Sequence, residues 1–221
     1  MEVLVIANEG DDDPGLVGAA LADRGARLST VHREAHASWP AIEAVDIVVS
    51  LGSDWSVYWE HVSPHVEGEA AFLRRVHRAG VPIFGICFGA QIVSHALGGE
   101  VQRAEVPEIG WYELAGATGP LECGPWFEWH VDTFTVPPGA VELARSPSGP
   151  QAILAGRTFA TQFHPEVDEA IVTRWAEWGQ TALAAAGRSM EELVERTRLE
   201  MKAAPQRAER LVDWFLDEVA R

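Results

Sequence analysis

The first hundred residues alternate short apolar runs with segments of helical periodicity, and this alternation restricts the fold more than any other feature. Runs typical of buried strands occupy residues 3–7, 26–32, 46–51 and 81–86. Helical patterns occupy residues 14–24, 63–79 and 88–97. Strands that alternate with helices in this way form a parallel sheet covered on both faces. We therefore predict an α/β fold with a mostly parallel sheet.

The pattern changes after residue 100, first to short strands separated by turns and then to helices. Strand-like runs occupy residues 111–114, 126–130, 151–154 and 159–163. From about residue 168 the apolar residues follow helical spacing, Ser189 and Glu192 match a capping box, and Pro205 begins a last helix. The sequence thus predicts a domain over residues 1–167 with a small antiparallel elaboration. A helical C-terminal extension over residues 168–221 is expected to pack on it.

The charge balance limits the partners of the chain. Its 221 residues include 33 acidic and 17 basic side chains, which gives a formal net charge of −16 with histidine neutral. Such acidity opposes non-specific binding to nucleic acid or to an anionic membrane. The amino terminus has no basic segment followed by an apolar one, and no apolar run approaches the length of a membrane span. We expect a cytoplasmic protein that binds neither nucleic acid nor membrane.

The residues around Cys87 carry the strongest chemical signal. An apolar strand leads into Gly-Ile-Cys-Phe-Gly at residues 85–89, and a helix follows. This is the nucleophile-elbow pattern with cysteine in place of serine, in which a sharp turn exposes the nucleophile and the flanking glycines relieve crowding. The helix amino terminus favours the thiolate, and the amide of Phe88 is placed to donate to an oxyanion. A buried, inert thiol is the alternative, but such a thiol does not require this surrounding pattern.

A cysteine nucleophile needs a base, and His164 is the candidate. His164 and Glu166 flank Pro165 at the end of the last predicted strand. Because they are two residues apart in an extended chain, their side chains point to the same side. Glu166 can then accept from one imidazole nitrogen while the other nitrogen faces the sulfur. An isolated, solvated histidine is the alternative, and the His-Pro-Glu context favours the catalytic role.

Together these two segments resemble the signatures of the class I, or triad, glutamine amidotransferases. The matching stretches are Gly-Ile-Cys-Phe-Gly-Ala-Gln at residues 85–91 and Gln-Phe-His-Pro-Glu at residues 162–166, and Cys87 and His164 lie 77 residues apart. The resemblance covers residues 3–167 and is strongest to stand-alone proteins similar to the glutaminase domain of GMP synthetase. It implies a flavodoxin-like, doubly wound fold.

The resemblance also implies catalytic roles for individual residues. Cys87 would attack the side-chain amide of glutamine and form a γ-glutamyl thioester. His164 would protonate the leaving ammonia and then activate water, with Glu166 orienting it. Gly52 occupies the position of the second oxyanion donor, beside the Phe88 amide.

Residues that bind the substrate follow from the same resemblance. The substrate would be glutamine or another γ-glutamyl compound, and Gln91 matches the residue that helps to hold its amino-acid end. Residues 129–132 fall where the family has a substrate-binding loop. We therefore expect His130, Val131 and Asp132 to contact the substrate.

Other polar segments have simpler interpretations. Neither a His-Glu-x-x-His nor a paired Cys-x-x-Cys pattern is present, so we predict no metal site and no cofactor. The acidic residues 11–13 are expected to complement the following helix amino terminus rather than to bind a cation. Residues 108–111, Glu-Ile-Gly-Trp, resemble a segment recurrent in the family and are expected to be structural or at the pocket rim. Cys123 is interpreted as an inert thiol.

Three functions stay open at this point. The first is a glutaminase that passes ammonia to an acceptor on a separate synthetase, because the helical extension is too short for a nucleotide-binding synthetase domain. The second is a stand-alone cysteine hydrolase of γ-glutamyl amides or peptides, and the third is a non-catalytic binding module on the same fold. The complete set of Cys87, His164 and Glu166 favours an enzyme, and the resemblance favours the first function. The extension could form a lid, a homodimer interface or a docking surface.

Overall fold

Nine strands and seven α-helices make up the fold in the computed structural model, which describes residues 1–221. The strands are β1 Glu2–Ala7, β2 Arg27–His32, β3 Ile47–Ser50, β4 Ile83–Ile86, β5 Val101–Tyr112, β6 Trp126–Phe134, β7 Val141–Ser146, β8 Gly149–Ala155 and β9 Thr158–Thr161. The helices are α1 Gly15–Asp23, α2 Ser63–Arg78, α3 Phe88–Ala96, α4 Glu169–Trp178, α5 Gln180–Ala185, α6 Met190–Glu200 and α7 Ala204–Trp214. A π-helical turn, Phe215–Val219, continues α7. None of these helices combines the length and the apolar character needed to cross a bilayer.

Seven of the strands form the central sheet in the order β2-β1-β3-β4-β9-β8-β7. The strands from β2 to β9 in this order are parallel neighbours. β8 runs antiparallel to both β9 and β7, and β5 and β6 form a separate antiparallel pair. The predicted flavodoxin-like fold, a mostly parallel sheet with helices on both faces and a small antiparallel elaboration, is confirmed.

The apolar core lies on both faces of this sheet, as β1 illustrates. Val3 and Val5 pack in one apolar cluster with residues of α1 and α7. Leu4 and Ile6 pack in a second cluster with residues of α2 and α3. Successive residues of a strand point to opposite faces, so a strand buried on both faces needs a continuous apolar run. This is why β1 has the uninterrupted run that the sequence shows.

The C-terminal helices pack at two separate places. α7 and the π-helical turn cover the sheet face next to α1, where the ring of Phe215 lies with its centroid 5.2 Å from that of Phe84 and 6.4 Å from that of Phe159. α4 and α6 instead pack against the β5–β6 pair, around a third apolar cluster that includes Ile109. The division of the chain at residue 167 stays a prediction.

The starts of the C-terminal helices follow local signals in the sequence. The carboxylate of Asp168 accepts a hydrogen bond from the amide of Ile171 at 2.8 Å where α4 begins. The hydroxyl of Ser189 accepts from the amide of Glu192 at 3.1 Å where α6 begins, which is one half of the predicted capping box. Pro205 lies in the first turn of α7. These bonds satisfy amide groups that the first turn of a helix leaves without an intrahelical partner.

β7 is not predicted from the sequence, and the position of this strand explains why. β7 lies at the edge of the sheet, and only Ala144 and Ser146 of its side chains are buried. An edge strand that is half exposed has no apolar run to reveal it.

The prediction of β5 from residue 111 was too short, since the strand begins at Val101. Its first half is mostly exposed and contains Pro107, which is typical of a loop when the sequence is considered alone. The segment is a strand because it pairs with β6, with Val101 opposite Phe134. A long-range partner therefore determines the structure of this segment.

Replacement of Phe215 by alanine tests the packing of the π-helical turn. The ring is fully buried, so Phe215→Ala should lower the free energy of unfolding by about 3–5 kcal/mol, measured by urea denaturation followed by circular dichroism. Leu199→Ala, at a half-exposed position of α6, is the control and should change the free energy by less than about 1 kcal/mol. Equal losses for the two variants would contradict this packing.

Candidate active site

The backbone at Cys87 makes the sharp turn that joins β4 to α3. With φ of 54° and ψ of −106°, Cys87 is the only non-glycine residue of the chain with a positive φ. Residues with a side chain seldom adopt such a φ, and strain of this kind concentrates at functional sites. The amide of Cys87 donates to the carbonyl of Thr161 at 2.7 Å, which holds the turn against β9. The strand-to-helix turn expected from the sequence is present.

Two glycines allow this turn to approach the sheet closely. A Cβ atom on Gly89 would lie 1.9 Å from the carbonyl oxygen of Ser50, and a Cβ atom on Gly85 would lie 2.7 Å from the carbonyl oxygen of Gly89. No side chain tolerates contacts this short with backbone atoms. Glycine is therefore required at both positions, and α3 begins directly against the end of β3.

His164 follows β9 and is fixed by its neighbours. Its amide donates to the carbonyl of Phe127 at 2.7 Å, and its Nδ1 lies 2.7 Å from Oε1 of Glu166. The carbonyl of Glu166 in turn accepts from the amide of Leu16 at the start of α1, also at 2.7 Å. The other ring nitrogen of His164, Nε2, is buried and has no hydrogen-bond partner. That nitrogen is free to exchange a proton.

Gly52 lies beside both of the proposed reacting side chains. A Cβ atom on Gly52 would lie 3.1 Å from Cε1 of His164 and 3.8 Å from Cβ of Cys87. The structure thus brings together Cys87, His164 and Gly52, with Glu166 behind the imidazole. Phe88, the first residue of α3, completes the group of residues predicted to act on the scissile bond.

The electrostatic surroundings of His164 favour its charged form. Burial lowers the pKa of His164, but the nearby Glu166 carboxylate and the Cys87 sulfur outweigh it and raise that pKa well above its ordinary value. An imidazolium beside a cysteine is the state in which the thiolate has a counter-ion. The geometry and the charge distribution thus suit a thiolate–imidazolium pair.

Cys87 and His164 open into a cavity of about 510 Å³. Each is itself at most 5% exposed, and both line this cavity, which gives an approach to them. The loops after β1 and β3, at residues 8–11 and 52–54, form part of its wall. Three tryptophan side chains form another part: Trp129, Trp175 and Trp178. The cavity thus lies beyond the carboxyl ends of the parallel strands, where open α/β sheets bind ligands.

Arg33, which the sequence analysis does not single out, holds the loop beside the nucleophile. Its guanidinium is 1% exposed and donates to the carbonyls of Gly52 and Leu51 at 3.1 and 2.6 Å. It forms a buried ion pair with Glu69 at 2.9 Å and lies 4.8 Å from the centroid of the Phe88 ring. One buried cation therefore contacts both residues whose amides are predicted to bind the oxyanion.

The residues predicted to bind substrate do not line the cavity. Gln91 is buried, and its Nε2 donates inward to Oε1 of Gln162 at 3.2 Å. Asp132 is buried, and its carboxylate accepts from the hydroxyls of Ser56 and Tyr58. These side chains lie behind the cavity wall, and their contact with substrate stays a prediction.

His130 and Val131 lie on β6, also outside the cavity lining. His130 is buried between two carboxylates, with Nε2 3.3 Å from Oε2 of both Glu108 and Glu128. Burial lowers the pKa of His130, but the interactions with Glu108 and Glu128 raise it to about 10. Burial also raises the pKa of Glu128. His130 is therefore a buried cation near neutral pH.

Glu108, Glu128 and His130 are also the group of side chains in the chain whose spacing could suit a metal ion. One ligand atom from each lies within 4.8 Å of the others. Nδ1 of His130 donates to the carbonyl of Asp132 at 2.9 Å, and Nε2 lies 3.3 Å from an oxygen of each carboxylate. The raised pKa of His130 favours a doubly protonated imidazole that pairs with these carboxylates. Glu108 is structural, one of the two interpretations that the sequence allowed.

The acidic loop after β1 links the cavity to the C-terminal helices. Asp13 accepts from the amide of Gly15 at 2.9 Å, so it complements the start of α1 as expected. Asp11 instead accepts from the indole of Trp175 at 3.0 Å and pairs with Arg174 at 3.2 Å. Nothing in the local pattern around residue 11 indicates this partner 164 positions away.

The charged state of His130 predicts how stability depends on pH. Because its pKa rises from an ordinary 6.5 to about 10 in the folded protein, its stabilising effect is complete below pH 6.5 and is lost as the pH approaches 10. The difference in unfolding free energy between the wild type and His130→Asn should therefore shrink over this range. Urea denaturation at several pH values measures it. A difference that stays constant would contradict the buried cation.

Comparison with known proteins places this geometry in a family. Residues 19–171 match the family described as "Glutamine amidotransferase class-I". Two GMP synthases described as glutamine-hydrolysing are similar in sequence. The GMP synthase of Aquifex aeolicus is 34% identical over 119 aligned residues, which cover 49% of this chain and 23% of the length of the relative. The GMP synthase of Thermus thermophilus is 39% identical over 103 aligned residues, which cover 42% of this chain and 20% of the length of the relative. The match thus spans less than a quarter of the length of these relatives.

Solved structures share the fold over nearly the whole chain. A glutamine amidotransferase from Thermotoga maritima superposes with a TM-score of 0.88 at 24% identity and covers 99% of both chains. A glutamine amidotransferase from Methylobacillus flagellatus superposes with a TM-score of 0.86 at 23% identity, covering 99% of this chain and 95% of the other. Since the family match covers more than half of the residues, the chain belongs to the class-I glutamine amidotransferase family.

Proposed function

We propose that the protein hydrolyses the side-chain amide of glutamine through a γ-glutamyl thioester on Cys87 and supplies the ammonia to an acceptor. The observation that carries this proposal is the arrangement around one cavity. A cysteine in a strained strand-to-helix turn faces a buried histidine whose Nδ1 is held by Glu166 at 2.7 Å. This is the order of nucleophile, base and orienting acid that acyl transfer needs.

The reaction would proceed in two halves. The thiolate of Cys87 attacks the side-chain carbonyl carbon of glutamine, and the carbonyl oxygen becomes an oxyanion that accepts from the amides of Phe88 and Gly52. Collapse of this intermediate breaks the carbon–nitrogen bond, and the imidazolium of His164 gives its proton to the leaving ammonia. His164 then takes a proton from water, which attacks the thioester. Collapse of the second tetrahedral intermediate breaks the carbon–sulfur bond, glutamate leaves, and the thiolate–imidazolium pair is restored.

Arg33 supports this mechanism by holding the oxyanion donors in place. Its bonds to the carbonyls of Leu51 and Gly52 fix the peptide that carries the Gly52 amide. An oxyanion hole accelerates the reaction only if its donors are already oriented before charge develops. A buried guanidinium with four hydrogen bonds is suited to that task because it leaves little freedom in the loop.

The destination of the ammonia is the less specific part of the proposal. The similar GMP synthases are glutamine-hydrolysing enzymes that extend far beyond the region of the match. By analogy, we propose that a separate synthetase or acceptor protein uses the ammonia released here.

One observation favours hydrolysis of larger γ-glutamyl amides or peptides as a second function. The cavity of about 510 Å³ falls in the range that holds a drug-sized ligand, and a single amino acid does not fill it. Trp178, at the wall of the cavity, is 62% exposed and offers an apolar surface to a leaving group larger than ammonia. The thioester chemistry would be the same, so a comparison of release rates from glutamine and from γ-glutamyl peptides separates the two functions.

Labelling of the intact protein tests the nucleophile. After incubation with a glutamine-mimicking diazoketone, mass spectrometry should find one adduct on Cys87, and ammonia should be released from glutamine. Cys87→Ala should form no adduct and show no turnover while keeping its fold. Cys123→Ala, the matched control at the other free thiol, should behave as the wild type. Equal turnover in Cys87→Ala and the wild type would contradict a mechanism in which Cys87 is the nucleophile.

Substitutions of the base and its partner should separate their roles. His164→Ala should lower kcat by roughly 10³-fold, because both proton transfers depend on it. Glu166→Gln should lower kcat less, since Glu166 orients the ring and does not exchange a proton with substrate. Steady-state ammonia release measures both. A larger loss for Glu166→Gln than for His164→Ala would contradict the assignment.

The pH profile gives a second test of the same pair. Glu166 raises the pKa of His164, and the imidazolium is the form that protonates the leaving ammonia. The alkaline decline of kcat/KM should therefore move to lower pH in Glu166→Gln. An unchanged alkaline decline would show that His164 is not the group that sets it.

A further inference from the structure

We propose that Gln162 is a positioning residue that donates a hydrogen bond to the sulfur of Cys87, and that Gln91, itself bonded to the backbone carbonyl of Asp132, fixes the orientation of the Gln162 amide. This inference rests on the proposed role of Cys87 as nucleophile. It adds a residue whose effect would be to stabilise the thiolate before any substrate is bound.

Gln162 lies beside the nucleophile and away from solvent. It follows β9 directly, is fully buried, and its Nε2 lies 3.5 Å from Sγ of Cys87. Apart from His164, whose pKa the sulfur helps to raise, the sulfur also contacts the carbonyl of Trp129 at 3.9 Å. A thiol can donate to that carbonyl, but a thiolate cannot, because both groups are then only acceptors. The Gln162 amide supplies a donor for the charged state in addition to the His164 ring.

The neighbouring side chain determines which end of this amide faces the sulfur. Oε1 of Gln162 accepts from Nε2 of Gln91 at 3.2 Å, and the same Nε2 lies 3.5 Å from the backbone carbonyl of Asp132. A backbone carbonyl only accepts hydrogen bonds, so Gln91 must present its amino group on this side. The oxygen of Gln162 must then face Gln91, and its amino group must face Cys87.

His130 anchors the far end of this chain. Its Nδ1 donates to the same carbonyl of Asp132 at 2.9 Å. Its Nε2 lies 3.3 Å from carboxylate oxygens of both Glu108 and Glu128, so the ring is held between these two side chains and the Asp132 carbonyl. His130 thus helps to hold in place the carbonyl that sets the direction of the bonds from Gln91 to the sulfur.

This series of hydrogen bonds gives a function to two features that play no part in the catalytic steps. One is the buried cluster around His130, which lies outside the cavity. The other is the inward direction of Gln91, which was expected to face the substrate. Both are explained if their task is to present one N–H group to Cys87.

Alkylation of Cys87 by iodoacetamide, followed against pH in a Cys123→Ala background, tests this proposal without glutamine turnover. Gln162→Met removes the hydrogen-bond donor but keeps a side chain of similar volume. Alkylation at neutral pH should therefore slow by about tenfold, and the pH at which the alkylation rate is half-maximal should rise. Gln162→Glu places a carboxylate against the sulfur and should slow alkylation further. Because no substrate is involved, the result is independent of whether the protein turns over glutamine.

Thr158→Val is the matched control, since it removes a hydroxyl on β9 that is 1% exposed and bonds to Nδ1 of His77 at 2.8 Å. Its alkylation profile should coincide with that of the wild type even if its stability falls. Gln91→Met frees the Gln162 amide to rotate, so it should shift the profile in the same direction as Gln162→Met. It takes the place of Gln162→Met if that variant does not fold. An unchanged profile in both Gln162→Met and Gln91→Met, or an equal shift in Thr158→Val, would overturn the proposal.

Discussion

The close approach of α3 to the sheet is the constraint on which the rest of the site depends. The helix begins where Gly89 lies against the carbonyl of Ser50, at a distance that leaves no space for a Cβ atom. The chain has only one residue, Cys87, with which to turn from β4 into that helix, and the turn requires its positive φ. The contact between Gly89 and the Ser50 carbonyl therefore determines the position of the nucleophile, the direction of α3 and the placement of the Phe88 amide.

The site also depends on a strand that does not belong to the central sheet. In β6, the carbonyl of Phe127 accepts a hydrogen bond from the amide of His164, and the carbonyl of Trp129 lies 3.9 Å from the sulfur of Cys87. Its partner β5 is fastened to the central sheet through Glu108, which accepts from Ser146 and Gln151 at 2.7 and 3.1 Å. The two-stranded pair is thus a wall of the active site, and its attachment to the sheet contributes to the geometry of both reacting side chains.

The sequence predicts the parts of this molecule that local patterns encode. The alternation of apolar runs predicts the parallel sheet, and the glycines around Cys87 predict the turn, because each signal lies within a few residues of its effect. Arg33 and Gln162 have no such signal. Arg33 lies in a polar segment, and only the folded chain brings Gly52 and Glu69 to it. Gln162 lies next to the predicted base, but its importance comes from a sulfur 75 positions away.

The distribution of charge links these long-range contacts. The chain carries a net charge of −16, yet two buried cations lie close to Cys87. Arg33 is neutralised by Glu69 on one side, and His130 lies between two carboxylates on the other. A buried ion pair is often no more stabilising than an apolar replacement of the same volume, because desolvation offsets much of the attraction between the charges. What they supply is orientation, since a buried charge tolerates only one arrangement of its partners. A site whose chemistry depends on N–H groups aimed at a sulfur and an oxyanion gains more from fixed direction than from added stability.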